Sequence, residues 1–174
     1  MTPASEKSFA QDDPPELILF DSSFVVATLV AGERYHSACL EFATRLQSAG
    51  SLIVYSSILK VEYLNTWRKF IERGLLPPEP SGQLQLNLGV PGERPHWFRV
   101  AERLLARFLA QFPRREVRVN RRVLKSMVSL MGTFNLRSLD AIQVASALDV
   151  HCRDIVSLDD DFKRVNEIRL WLPH

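Results

Sequence analysis

Short unbroken apolar runs alternate along this chain with longer stretches in which apolar residues recur every three or four positions. The run LILF at 17–20, closed by Asp21, predicts a buried strand that ends at a polar edge. Residues 22–50 carry helical spacing in two pieces around Gly32, with Gly50 as a stop, and SLIVYSS then predicts a second strand. From Leu59 to Arg73 the apolar positions Tyr63, Trp67, Phe70 and Ile71 share one helical face, and Gly74 follows as a breaker. The segment from Pro77 to Pro95 is dense in proline and glycine and predicts a long inserted loop. Helical spacing resumes from His96 to Phe112, EVRV predicts a short strand, and a further helix runs from Asn120 to Met131 with Gly132 at its end. The last third reads as a helix (SLDAIQVASALDV), a strand feeding an acidic turn (DIVSLDDDF) and an edge strand (IRLWL). Strands alternating with helices predict an α/β fold, a parallel sheet covered on both faces, with functional groups gathered at the carboxyl ends of the strands.

The first sixteen residues break this pattern. They are polar, contain Pro3, Pro14 and Pro15, and offer little apolar surface against the entropy of ordering, so they predict a flexible arm (1–16) ahead of one domain (17–174). A chain of 174 residues with 46% hydrophobic content supports one sizeable core rather than two. The net charge of +2 gives no whole-molecule attraction to nucleic acid, so any such surface must be local. Cys39 and Cys152 form no CxxC and are too few to staple the domain, which suits a reducing compartment. The N-terminus lacks the apolar core of a secretory signal, and no apolar run approaches the roughly 20 residues that span a bilayer. The expected location is the cytoplasm, with no membrane partner.

The chemistry lies in the acids. A divalent ion such as Mg²⁺ takes hard oxygen ligands, so a phosphodiester-cleaving site needs several carboxylates converging at one edge. Asp21 follows the first strand, Glu62 opens the helix after the second, Asp140 lies in the first turn of a helix, and Asp159 follows another strand. Each has an ordinary alternative. Asp21 could cap a helix, Asp140 could complement a helix dipole, Glu62 could be solvated or paired with Lys69 or Arg73, and Asp159–Asp161 could form an acidic surface turn. Four unrelated caps have no reason to fall at successive strand-to-helix junctions, whereas a shared metal site requires that placement.

The motifs around these acids are similar to those of a known family. FDSSFVVATLV resembles the strand-Asp-Ser/Thr opening of PIN domains, and YSSILKVEYLN their Ser-x-x-x-x-x-Glu helix start. LRSLDAIQVASAL resembles their Asp-Ala helix, and IVSLDDDF their Thr/Ser-x-Asp-x-Asp-Phe element. The match runs in order from about Leu17 to Val165 and is nearest to VapC-type toxins. The resemblance implies a three-layer α/β/α sandwich with a central parallel sheet, and Mg²⁺- or Mn²⁺-dependent cleavage of single-stranded RNA. It also implies a homodimer and a small inhibitory antitoxin. By position, Asp21, Glu62 and Asp140 become the main metal ligands and catalytic acids, and Asp159 the fourth, with Asp160 and Asp161 as competitors for its place. Ser22 and Ser157 become donors that orient the carboxylates, and Asp161 an assistant acting through water. The Pro77–Pro95 segment is longer than the compact connection usual in such chains.

Arg114, Arg115, Arg118, Arg121, Arg122 and Lys125 place six positive charges in twelve residues, either a phosphate-binding patch or a solvated face. Trp97 is a core residue or a base-stacking one. No histidine has zinc-ligand spacing, and no GxxxxGK[ST] phosphate loop is present. Two other functions fit the same elements: a PIN-type nuclease of RNA maturation, and a catalytically silent RNA- or protein-binding module.

Overall fold

The computed structural model describes residues 3–73 and 94–173. The strands β1 (Ser5–Ser8), β2 (Leu17–Phe20), β3 (Leu52–Ser56), β4 (Arg114–Val117), β5 (Asp154–Val156) and β6 (Arg169–Leu172) form one sheet in the order β1-β6-β5-β2-β3-β4. Every pairing is parallel. The helices are α1 (Ser22–Leu29), α2 (His36–Ala49), α3 (Leu59–Arg73), α4 (Arg94–Leu109), α5 (Arg121–Phe134) and α6 (Ser138–Asp149), with a 3-10 helix at Asp160–Arg164.

The period-two alternation of the strands divides the core into two layers. Ile18 and Phe20 of β2 and Trp171 of β6 face a cluster built with Phe24, Phe42, Trp67 and Phe108 from α1–α4. Leu19, Leu170 and Leu172 face the other side, against Val123, Leu130 and Phe134 of α5 and Val144 of α6. The result is the expected α/β/α sandwich with β2 central, flanked by β5 and β3. That position matters for the site, because Asp21 emerges from the middle of the sheet. No helix among the described residues is long and apolar enough to cross a membrane.

Four sequence expectations change. The first sixteen residues are not simply a flexible arm. Ser5–Ser8 pair with Arg169–Leu172, Ala4 N–H donates to the Lys163 carbonyl at 2.9 Å, and Phe9 stacks on Phe42 with ring centroids 4.3 Å apart. Arg45 donates to the backbone carbonyls of Phe9 and Asp12. The unpaired edge of β6 supplies backbone partners that mean polarity hides, and Phe9 adds one large apolar anchor. In consequence β6 is not an edge strand; β1 covers it.

Gly132 does not end α5. The helix runs on to Phe134 and stops at Asn135, whose left-handed backbone (φ 53°) lets its N–H reach the Met131 carbonyl at 3.0 Å. Glycine inside a helix costs about 1 kcal/mol relative to alanine, and burial of Leu130 and Phe134 offsets it. The strand β4 lies two residues earlier than EVRV, fixed by its register Ile53↔Arg114 against β3. Gly74 and the Pro-rich segment up to residue 93 lie outside the described residues.

Candidate active site

At the carboxyl end of β2, Asp21 leaves the strand in extended conformation and caps α1. Its N–H donates to the Val156 carbonyl at 3.1 Å, which ties it to the neighbouring strand β5. The carboxylate is buried, and its Oδ2 accepts three hydrogen bonds: from Ser23 N–H (3.2 Å), Ser23 Oγ (2.5 Å) and Ser157 Oγ (2.8 Å). Oδ1 carries none of them, so one oxygen is fixed while the other stays available. Ser157 Oγ also accepts from Asp159 N–H at 3.1 Å, and Ser23 Oγ from Leu158 N–H at 2.9 Å. These bonds stitch the ends of β2 and β5 together. The expected orienting hydroxyl of Ser22 is replaced by that of Ser23. A helix-capping side chain bonds the second residue of the helix, and that residue here is Ser23.

Helix α3 brings in Glu62 from its first turn, and α6 brings in Asp140 from its own. Burial, then repulsion from Asp21, pushes the Glu62 carboxyl up to about 7, against the lowering effect of a hydrogen bond from Gln143. Burial, then repulsion from Asp159 and Asp21, pushes Asp140 up to about 6. Asp140 Oδ2 is buried without a hydrogen-bond partner. Negative charge is therefore concentrated beyond what the protein's own donors neutralise.

The acidic turn sorts its three members. Asp159 caps the 3-10 helix by accepting from Asp161 N–H at 2.9 Å, and both turn inward. Oxygen atoms of Asp140, Asp159 and Asp161 all lie within 4.8 Å of one another. Asp160 points away, 85% exposed and paired with Lys163 at 2.9 Å. Asp161, expected either to assist through water or to compete for the fourth place, thus has an oxygen inside this cluster. It also meets Arg164 at 2.9 Å and Arg137 at 3.5 Å.

Arg114, Arg115 and Arg122 of the predicted basic patch stand away from the acids. Arg114 opens β4 and donates to the Leu109 carbonyl, and Arg115 follows it; both stand at the strand end opposite the acids. Arg122 pairs with Asp149, at the far end of α6 from Asp140. Arg121 begins α5 and Lys125 lies one turn further along the same helix, while Arg118 follows β4. Among the described residues, Arg137 and Arg164 meet Asp161 of the cluster, and no charge run in the sequence singled them out. Trp97 is buried in the core, which excludes the base-stacking reading. Gln143, fully buried, was also missed; its only sequence signal is its place one turn after Asp140.

Three carboxylates within 4.8 Å, one with a buried oxygen lacking a partner, fit a divalent cation bound through hard oxygens. The family model described as PIN domain matches residues 18–168. No curated protein matches the chain. Among solved structures it is similar to VapC20 of Mycobacterium tuberculosis, described as a sarcin-ricin loop cleaving toxin, at 19% identity and a TM-score of 0.53, covering 83% of this chain and 92% of that one. It is similar to a toxin-antitoxin complex from Klebsiella pneumoniae at 14% identity and a TM-score of 0.50, covering 87% and 94%. PAE2754 of Pyrobaculum aerophilum gives 14% identity and a TM-score of 0.53, covering 94% and 90%. At these identities the likeness speaks for the fold.

Proposed function

The chain belongs to the PIN-domain family, and from that membership we propose that it is a metal-dependent endoribonuclease acting on single-stranded RNA, the toxin of a toxin–antitoxin pair. The observation that carries the proposal is the convergence of acids from four separate parts of the chain on one rim, with Asp140, Asp159 and Asp161 within 4.8 Å. Asp21, Glu62 and Asp140 are the principal metal-holding and catalytic acids, and Asp159 joins them, with Asp161 beside it. Ser23 and Ser157 hold Asp21 in place. Mg²⁺ or Mn²⁺ bound there supplies Lewis-acid charge to the phosphate and a more acidic water.

The residues of the chain do the rest. The acids crowd one another when metal-free, as the raised values of Glu62 and Asp140 reflect, so a cation relieves repulsion that folding has already built in. Arg137, 76% exposed beside Asp161, offers positive charge at the rim that offsets repulsion of an incoming phosphate. A module that only binds RNA gains nothing from buried, mutually repelling carboxylates. The likeness to a toxin-antitoxin complex supports a protein inhibitor as partner, and the resemblance of the motifs to VapC-type toxins implies a homodimer in the cytoplasm.

The test is cleavage of a single-stranded RNA by the purified chain with and without Mn²⁺. Asp140→Asn and Asp21→Asn should each lower metal-stimulated cleavage by at least 100-fold while retaining the parent's circular dichroism. Parent-like cleavage by both folded variants refutes the nuclease reading. Growth arrest on expression, with new RNA 5′ ends, tests the toxin assignment separately.

A further inference from the structure

Helix α6 buries every residue from Ala141 to Ala147, and in that stretch Gln143 is fully enclosed. An apolar side chain would pack there without desolvating an amide, and a buried amide with an unmet hydrogen bond is costly. Its Nε2 donates to Glu62 Oε2 at 2.6 Å, while its Oε1 is buried with no partner. With Glu62 ionised, only the NH₂ end of the amide can face it, so Oε1 must point elsewhere. One turn earlier on the same helix, Asp140 Oδ2 is likewise buried and unpaired. Two acceptor oxygens on one helical face therefore lack donors, next to a carboxylate held by the same amide.

We propose that Gln143 is a positioning residue of the acidic site: Nε2 fixes Glu62 through Oε2, keeping the second Glu62 oxygen available to a divalent cation, and Oε1 accepts from a water that accompanies that cation. The proposal rests on the metal-site reading above and adds to it a residue outside the acid set. Helix α6 thus delivers an acid, Asp140, and one turn later the amide that orients another. Groups of this kind, bonded to a ligand rather than to the metal, typically change metal affinity by 10- to 100-fold when removed.

The experiment is calorimetric titration of the full chain with Mn²⁺, without RNA, alongside thermal unfolding of the metal-free proteins. Gln143→Met keeps the side-chain length and removes both polar atoms. It should weaken Mn²⁺ binding at least about 10-fold. Val144→Ala, a truncation at the adjacent buried position, should lower the melting temperature and leave Mn²⁺ affinity within about twofold. Should Gln143→Met fail to fold, Gln143→Asn, which retracts the amide by one methylene, is read in the same way. Parent-like affinity in the folded Gln143 variant overturns the proposal, as does equal weakening by Val144→Ala, which would mark a general loosening of α6. If the parent itself binds no Mn²⁺, the metal-site reading falls and Gln143 with it; parent binding with an unaffected variant removes Gln143 alone.

Discussion

The hydroxyl of Ser157 donates to Asp21 Oδ2 at 2.8 Å across 136 positions of sequence, joining the ends of two neighbouring parallel strands. Because the same hydroxyl accepts from Asp159 N–H, a single atom links two of the proposed metal-holding acids. Ser157→Ala should lower stability by about 1.5–3 kcal/mol, the range for a hydrogen bond to a charged group. Urea unfolding measures it. A 10- to 100-fold drop in Mn²⁺ affinity should accompany it. An unchanged Mn²⁺ affinity would show that Ser23 suffices to hold Asp21.

Glu62 gives a pH signature. Its folded value, about 7, lies above the ordinary glutamate value of 4.5, so the folded state holds the proton more tightly than the unfolded chain does. Its contribution to stability is present below about 4.5 and is lost as pH rises toward 7. Glu62→Gln keeps an acceptor for Gln143 but cannot ionise. The metal-free variant should exceed the parent by about 1–2 kcal/mol above pH 7, a figure reduced for partial exposure, with the difference shrinking toward pH 4.5. Chemical denaturation across that range checks it, and a pH-independent difference would contradict the assignment.

The three acids after Ser157 should separate sharply. Asp161→Asn removes a carboxylate from the inward cluster and a partner from Arg137 and Arg164, so metal-stimulated cleavage should fall at least 10-fold. Asp160→Asn removes only an exposed ion pair with Lys163, and neither cleavage nor stability should change by more than experimental error. Equal effects at the two positions would invalidate this division.

Phe9 tests the role of the N-terminal segment. Its ring is buried, stacked on Phe42 and set edge-on to Phe24 at 6.0 Å. Phe9→Ala should destabilise by about 3–5 kcal/mol, as for other buried aromatics. A loss below about 0.5 kcal/mol, the usual surface value, would return residues 1–16 to the status of a loose arm.

Much of this was legible in the primary structure. LILF followed by Asp21, the alternation of strands with helices, and Asp140 in the first turn of its helix are local patterns, and local backbone physics fixes them. Asp21 and Asp140 could be named because strand-to-helix junctions of a parallel sheet lie on one rim, whereas Glu62 rested more on the resemblance of its motif to PIN domains. What the chain's pattern could not decide was set by contacts distant in sequence. Ser23 rather than Ser22 faces Asp21 because of the turn of α1, and Asp160 rather than Asp161 is turned outward by the 3-10 helix. The run from Arg114 to Lys125 reads as one patch along the chain, yet Arg114 opens a strand at the end opposite the acids and Arg122 pairs with Asp149, while Arg137 and Arg164 stand beside Asp161. Ser5–Ser8 become a strand only because β6 offers them an open edge, and Gln143 becomes notable only once α3 sets Glu62 against it. Periodicity reports which face of an element is buried; it carries no information about which distant polar group that face will meet, because tertiary packing alone fixes that distance.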